Sequence, residues 1–144
     1  MSNEQKIKLF LIDDDAVFLK SMEIEFSHFP EFSVETYSTG ELAMTKISNA
    51  PDVVILDYHL DGIEKDAMNG MATLDKIKAH NSEIPVVMLS SQDKIEVAID
   101  CMHHKAFDYV VKSETAFMRL QAIISAILKY KKMEKQLSWY MERM

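Results

Sequence analysis

Four apolar runs along the chain each stop at a polar residue. The runs are residues 9–12 (LFLI), 53–56 (VVIL), 86–89 (VVML) and 109–111 (YVV). Continuous runs rich in β-branched residues, as opposed to alternating ones, indicate strands that are buried on both faces. Residues 32–37 (FSVETY) do alternate, and they predict a fifth strand.

The segments between the runs are predicted to be helices. Apolar residues recur at three- and four-residue spacing over residues 15–29, and further helices are predicted over residues 71–80 and 93–104. The apolar stripe of the 93–104 helix consists of Ile95, Ala98, Ile99 and Met102. Strands that alternate with helices predict an α/β domain with a parallel sheet and right-handed crossovers.

The start of one helix is marked by a specific motif. Ser38-Thr39-Gly40-Glu41 has the Ser-x-x-Glu form of a capping box, in which the serine and glutamate side chains bond each other's backbone amides. The motif predicts a helix from there to about Asn49. A long last helix is predicted from about Glu114.

The polar residues at the ends of the runs suit a divalent cation and a phosphoryl group. They are Asp13, Asp14 and Asp15 after the first run, Asp57 after the second, Ser90 after the third and Lys112 after the fourth. Parallel strands would place these ends on one edge of the sheet, where open α/β sheets bind ligands. Taken singly, each has a plainer interpretation as a helix cap, a strand-end hydroxyl or a solvated lysine. The combination of all four ends favours a site.

The carboxylates predict a metal site, with Mg²⁺ or another divalent cation such as Mn²⁺ as the cofactor. Neighbouring carboxylates repel one another, and a hard cation with oxygen ligands relieves that repulsion. We expect Asp14, Asp57 and the backbone carbonyl of His59 to bind the cation directly, while Asp13 holds a metal-bound water. Asp15 is expected to cap the first helix.

Asp57 is the predicted nucleophile. A carboxylate at the end of a buried strand can attack a phosphoryl donor and form an acyl phosphate. Ser90 would donate a hydrogen bond to one phosphoryl oxygen, and Lys112 would pair with another.

The series FLIDDD, VVILD, VVMLSS and YVVK resembles the receiver domain of two-component response regulators, over residues 7 to about 128. The resemblance implies a flavodoxin-like, doubly wound fold, with a five-stranded parallel sheet of order 2-1-3-4-5 and helices on both faces. It also implies that a histidine kinase or a histidine phosphotransfer protein donates the phosphoryl group. Asp57 would be the phosphoacceptor, and Asp13 and Asp14 the acidic metal-binding pair.

The resemblance further implies a conformational switch. Ser90 matches the family's hydroxyl position, Lys112 its phosphate-pairing lysine and Tyr109 its aromatic switch position, although Tyr109 is equally explained as a core aromatic. Movement of Ser90 towards the phosphoryl group would let Tyr109 turn inward. The face made by the fourth helix, fifth strand and fifth helix would then change shape for an output partner that the sequence does not identify.

Three features depart from the family pattern. Asp61 stands where members commonly have proline, and residues 59–69 (HLDGIEKDAMN) are long for a strand-to-helix loop, so both a functional loop and a tolerated insertion fit. The match of Gly70 to the family's loop glycine is therefore open. Ser113 replaces a proline that usually follows the lysine in a cis bond. A cis bond to a non-proline residue costs about 3–4 kcal/mol, which leaves the Lys112–Ser113 isomer open.

Composition is typical of one globular domain. The chain has 144 residues, of which 48% are apolar, and a net charge of −7, so direct nucleic-acid binding is not expected. Cys101 is the only cysteine, which excludes an intramolecular disulfide and fits a cytoplasmic location. The start lacks the apolar core of a secretory signal, and no run approaches the ~20 residues that span a bilayer, so no membrane association is expected.

The last predicted helix extends beyond the domain. Residues 129–144 carry a charge of +3, against −10 for the rest, and continue the apolar pattern to Met144. We divide the chain into a receiver-like domain, residues 1–128, and a helical extension, residues 129–144. Two apolar turns are too few to predict a coiled coil. A projecting helix that supports a homodimer is favoured, and a link to an output domain or a frayed tail remains open.

Two other functions compete with the signalling module. A Mg²⁺-dependent phosphohydrolase also uses a strand-end aspartate nucleophile, but it usually needs a second acid/base aspartate where this chain has His59. It also needs a cap over its substrate, for which the chain is short. A receiver-like module that is never phosphorylated and only binds partners is the third possibility. The complete acidic set disfavours it. On the leading hypothesis the chain is an acceptor that assists its own phosphorylation, and is not an enzyme.

Overall fold

Five strands form one parallel sheet in the computed structural model, which describes residues 6–62 and 65–144. The strands are β1 (Ile7–Ile12), β2 (Phe32–Tyr37), β3 (Val53–Asp57), β4 (Val86–Ser90) and β5 (Asp108–Val111). They lie in the order β2-β1-β3-β4-β5, and all four neighbouring pairs are parallel. The predicted topology is therefore confirmed. The prediction succeeded because a parallel sheet is covered on both faces, so that each central strand is a continuous apolar run.

Helices cover the sheet on both sides. They are α1 (Ala16–Ser27), α2 (Gly40–Thr45), α3 (Gly70–His80), α4 (Ile95–His103) and α5 (Ala116–Glu142), with a short 3₁₀ helix at Ile47–Asn49. One core layer joins α1 and α5 to the sheet and is centred on Phe26 and Leu120. The other joins α2, α3 and α4 to the opposite face and contains Phe10, Leu74 and Cys101.

The expected capping box is wrong, whereas the expected cap of α1 is confirmed. Thr39, not Ser38, caps α2 by accepting a hydrogen bond from the amide of Leu42. Glu41 does not turn back to the cap, because its carboxylate accepts a hydrogen bond from the amide of Met68 at 2.9 Å. Asp15 caps α1 by accepting hydrogen bonds from the first-turn amides. A long-range contact from the β3–α3 loop has thus replaced a local one.

The helix that follows Thr39 is shorter than predicted. It ends at Thr45, and the chain continues as the 3₁₀ helix, not as an α-helix to Asn49. Ala50 then takes a left-handed backbone conformation with φ 57°, which ends the helical segment. The chain turns there into Pro51 and β3.

The apolar stripe of α4 faces solvent. Ile95 is 71% exposed, Ile99 48% and Met102 47%. The residues of α4 that contact the core are Cys101, which is fully buried, and Val97. Periodicity located the helix correctly, but the more apolar flank of this helix is the outer one.

Helix α5 is continuous across the predicted domain boundary. Ile124 and Ile127 are its last two buried residues, and the helix continues to Glu142. The side chain of Lys131 reaches back to the domain and donates a hydrogen bond to the carbonyl of Asp52 at 2.9 Å. Within the described part of the chain, no helix is long and apolar enough to cross a membrane.

The backbone answers one question that the sequence left open, and it shows why residue 70 is a glycine. None of the described residues has a cis peptide bond, so Lys112–Ser113 is trans. Gly70 begins α3 directly against the end of β3, where an added Cβ would lie 2.4 Å from the carbonyl oxygen of Asp57 and 2.7 Å from Tyr58. Glu64, part of the acidic loop, lies outside the described residues.

We predict that Gly70→Ala destabilises the protein by about 1–3 kcal/mol, because backbone must move to accommodate the methyl group. Gly62→Ala is the matched control. There, the nearest atom to an added Cβ is a carboxylate oxygen of Asp14 at 3.1 Å. The Asp14 side chain can rotate away by a few tenths of an ångström, so no backbone needs to move. Urea unfolding measures both. Equal stability of the two variants would contradict the close approach at Gly70.

Candidate functional site

Three carboxylates meet at the carboxyl edge of the sheet. Asp13 follows β1 and Asp57 ends β3, and these strands are neighbours in register, with Ile12 opposite Leu56. Asp14 lies beside them, so that the three residues each offer an oxygen within 4.8 Å of the others. Asp13 and Asp57 are each only 2% exposed. Buried carboxylates at this separation repel one another strongly.

One ammonium group lies between the two buried carboxylates. Lys112 follows β5, and its Nζ is 2.7 Å from Asp13 Oδ2 and 3.6 Å from Asp57 Oδ1. Within the described residues, no hydrogen bond of good geometry reaches Asp13 Oδ2. The same ammonium lies 4.5 Å from the centre of the Phe18 ring on α1, a favourable cation–π position. The sequence did not predict the contribution of Phe18, because its spacing marked it only as a core residue.

The pKa of Asp57 is raised to about 7, above its ordinary value of 3.8. Burial is the main cause, and the charge of Asp13 adds to the rise, while Lys112 and the amide of His59 oppose it. One ammonium does not balance three carboxylates. The set therefore has the charge and the oxygen donors that a divalent cation such as Mg²⁺ requires, and these residues fit such an ion.

The hydroxyl and the aromatic residue meet at the loop after β4. Ser90 is fully buried, and its Oγ accepts a hydrogen bond from the amide of Gln92 at 3.0 Å. Tyr109, on β5, donates its phenolic hydroxyl to the carbonyl of the same Gln92. One peptide segment is thus held by both side chains. Gln92 is the link between the two predicted switch residues, through backbone atoms that no sequence motif marks.

The loop between β3 and α3 lies against the carboxylates. The amide of Gly62 donates a hydrogen bond to Asp14 Oδ2 at 3.1 Å, and the amide of His59 donates to Asp57 Oδ1 at 3.2 Å. The His59 ring packs edge-on against Tyr58, and its Nε2 is buried with no hydrogen-bond partner among the described residues. The proposed metal-ligand role of the His59 carbonyl stays a prediction.

We predict that Asp57→Asn stabilises the protein at neutral pH in buffer without divalent cations. A pKa of about 7 in the folded state exceeds the unfolded value of 3.8, so the folded state binds more protons between these pH values. The wild type therefore loses stability relative to the variant as pH rises from about 4 to 7. The difference should reach the order of 2–4 kcal/mol. A difference in unfolding free energy that is constant across this range would contradict the prediction.

The chain matches proteins of known class over most of its length. A family model described as the response regulator receiver domain matches residues 9–125. The protein-glutamate methylesterase/protein-glutamine glutaminase of Bacillus subtilis is 38% identical over 109 residues, which are 71% of this chain and 28% of that protein. The transcriptional regulatory protein QseB of Haemophilus influenzae is 27% identical over 82% of this chain and 52% of its own length.

Solved structures give the same result. NtrX from Brucella abortus superposes with a TM-score of 0.81 at 28% identity, over 95% of this chain and 30% of that chain. The BeF₃-activated DrrB receiver domain superposes with a TM-score of 0.75 at 26% identity, over 87% of this chain and 99% of that one.

The matched region covers only part of each curated relative. The chain spans only 27% to 52% of the length of the first curated relatives, so it corresponds to their receiver part and not to their output parts. The methylesterase name of some relatives therefore does not pass to this chain. The family match also does not favour a phosphohydrolase or an unphosphorylated binding module. With its sheet order, its acidic cluster and the match over residues 9–125, the chain belongs to the response regulator receiver domain family.

Proposed function

We propose that this chain accepts a phosphoryl group on Asp57 from the phosphohistidine of a histidine kinase or a histidine phosphotransfer protein. The observation that carries the proposal is the position of the Lys112 ammonium, 2.7 Å from Asp13 and 3.6 Å from Asp57. A buried nucleophile with a cation 3.6 Å away has the means to accept and hold a group that brings negative charge. Such transfer depends mainly on positioning and charge neutralisation.

Asp57 supplies the nucleophile. One of its carboxylate oxygens forms a bond to phosphorus as the P–N bond of the phosphohistidine breaks, and the bonding electron pair stays on the imidazole nitrogen. Asp57 must be ionised to attack. Its pKa of about 7 therefore opposes the reaction in the absence of a cation. Lys112 is close enough to move from the carboxylate to a phosphoryl oxygen, and the Ser90 hydroxyl would donate to another.

The acidic cluster would hold the cofactor. Asp14, Asp57 and the carbonyl of His59 are the proposed direct ligands, and Asp13 would hold a bound water. Mg²⁺, or Mn²⁺ in its place, would supply positive charge to the phosphoryl oxygens during transfer. Asp14 would exchange its hydrogen bond with the Gly62 amide for this role.

The link through Gln92 supplies a route for the switch. At present, Ser90 Oγ accepts from the Gln92 amide while Tyr109 donates to the Gln92 carbonyl. If the Ser90 hydroxyl turns to a phosphoryl oxygen, this amide loses its acceptor and the loop before α4 is free to rearrange. Tyr109, which packs against the core and donates its hydroxyl to the Gln92 carbonyl, would move with the loop. The surface of α4, β5 and α5 would change with it, and the exposed Ile95 and Ile99 on α4 would present that change to an output partner.

The proposal also includes the cellular location of the chain and its role as an acceptor. We place the chain in the cytoplasm, where its phosphoryl donors would act. We assign it the role of an acceptor that assists its own phosphorylation and dephosphorylation, without turnover of a separate substrate. The burial of His59 Nε2, and the packing of its ring against Tyr58, disfavour this residue as the second acid/base group of a phosphohydrolase.

We predict that incubation with acetyl phosphate and Mg²⁺ adds one phosphoryl group to the chain, because Asp57 can attack a small acyl phosphate as it attacks phosphohistidine. Intact-mass spectrometry measures the addition. Asp57→Ala should abolish it, and Lys112→Ala should reduce it by about tenfold or more through loss of the charged partner.

Asp66→Asn is the matched control, because Asp66 is an exposed carboxylate of the β3–α3 loop outside the acidic cluster. It should be labelled like the wild type. Labelling of Asp57→Ala to the wild-type extent would contradict the proposed acceptor. Repeated turnover of phosphate esters would instead identify a phosphohydrolase, and no labelling of the wild type would indicate a module that only binds partners.

We predict that beryllium fluoride with Mg²⁺ shifts the backbone amide resonances of Gln92, α4 and β5, and that Ser90→Ala reduces these shifts. The reason is that Ser90 is the side chain that would exchange the Gln92 amide for the bound group. Heteronuclear NMR measures the shifts. Full-size shifts in α4 and β5 of Ser90→Ala would contradict the proposed route, even if the ligand still binds at Asp57.

A further inference from the structure

The extension of α5 carries an exposed apolar surface. Beyond Ile127, the last buried residue of the helix, the apolar side chains are 50% or more exposed from Tyr130 to the end of the chain. Tyr130 is 58% exposed, Leu137 61% and Met144 98%. Exposed apolar residues are common singly. A row of exposed apolar side chains along one helix is unfavourable in water, and a second surface that covered the row would remove this unfavourable exposure.

The row follows a heptad repeat. Tyr130, Met133, Leu137, Tyr140 and Met144 are separated by three and four residues in strict alternation. The same spacing carried backwards reaches Ala126, which is exposed, and Ile123, which is half-buried. We call these seven residues the seam. The first six occupy the a and d positions of three consecutive heptads, and Met144 follows at the next a position, two residues beyond the helix end at Glu142. Three heptads are the length at which the pattern becomes indicative of a coiled coil.

We propose that a second copy of this chain covers the seam, in a parallel and in-register two-stranded coiled coil. Charge favours this occupant and this direction. With Tyr130 at an a position, Lys129 is at g and Glu134 is at the e position that faces it across a parallel pair. Each Lys129 would then meet Glu134 of the second copy. An antiparallel pair centred on Leu137 would instead bring Lys129 near Arg143 of the second copy, two like charges.

The domain prepares the helix for this role. Forming the first turn of a helix is the unfavourable step, and here the first half of α5 is already held by Leu120 and Ile124 in the core. Lys131 fixes the start of the extension through its hydrogen bond to Asp52. Phe117 packs against Phe26 of α1, and it does not occupy an a or d position of the seam, so this contact with α1 uses no seam residue.

The composition of the seam indicates a weak dimer. Leu137 is the only leucine in it, and none of its positions beyond Ile123 is β-branched. Tyrosine and methionine fill the remaining a and d positions of the extension, where isoleucine, valine and leucine form the most stable dimers. The dimer should therefore dissociate on dilution.

Cysteine cross-linking tests the pairing and its direction on the full chain. In Tyr130→Cys and in Met144→Cys, each introduced thiol would face its own copy across a parallel seam, so a mild oxidant should link each variant with itself. Lys135→Cys, at an f position on the outer side, is the matched control and should not link. Cys101 can remain, because it is fully buried and burial raises the pKa of its thiol to about 11.

Each outcome of the cross-linking decides something. Self-linking at positions 130 and 144 but not at 135 supports the proposal. Linking only in a mixture of Tyr130→Cys with Met144→Cys would overturn the parallel direction. No linking, or equal linking of Lys135→Cys, would overturn the dimer itself.

Charge reversal gives an independent test. Lys129→Glu and Glu134→Lys should each raise the dissociation constant, measured by sedimentation equilibrium, by about tenfold, since each replaces two attractions by two repulsions. The double variant should restore wild-type association. Both side chains are exposed, so the fold should tolerate the changes, and far-UV circular dichroism checks this. A double variant no tighter than either single variant, or a wild type that remains monomeric at every concentration, would overturn the proposal.

Discussion

The ammonium of Lys112 beside two buried carboxylates is the interaction on which the rest of this structure depends. Asp13 and Asp57 are almost fully buried at the ends of neighbouring strands, where their charges repel one another. Lys112 reduces this repulsion but does not remove it, because Asp14 adds a third negative charge. The remaining imbalance favours the binding of positive charge at the site. The pKa of Asp57 is raised mainly by burial, and the charge of Asp13 adds to that rise.

Most elements of the fold contribute a residue to this edge of the sheet. Parallel pairing brings the ends of β1, β3, β4 and β5 together. Gly70 lies close to the backbone of Asp57, so α3 begins at the same edge. The Phe18 ring of α1 lies against the Lys112 ammonium, and the amide of Gly62 donates a hydrogen bond to the Asp14 carboxylate. Residues from distant parts of the chain therefore converge on one cluster. A backbone shift of an ångström at any of them would alter the distances that the chemistry requires.

Most of the sheet and of the acidic cluster could be predicted from sequence, for a specific physical reason. A strand buried on both faces must be apolar throughout, so a polar residue directly after it marks the edge of the sheet. Asp57 and Lys112 were both found in this way. The predictions that were wrong depended on local motifs. Glu41 matched a local capping motif but bonds the amide of Met68, and such a long-range competitor leaves no mark in the local pattern.

The orientation of α4 shows a second limit of the same kind. Spacing identified Ile95, Ile99 and Met102 as one flank of a helix, but it carries no information on which flank meets the sheet. In this protein that flank is exposed, on the side where a signalling change would emerge. The part of the seam beyond residue 128 was likewise visible as an apolar pattern. The exposure of the seam, and the half-buried Ile123 that begins its first heptad, became evident only with the structure.

The unbalanced charge at the edge of the sheet is tested most directly by calorimetric titration of the metal-free protein with Mg²⁺. We expect one Mg²⁺ to bind per chain, and Asp14→Asn to weaken this binding by at least about tenfold, because it removes one of three negative charges and a proposed direct ligand. Binding by the wild type that is undetectable, or unchanged in Asp14→Asn, would contradict the account.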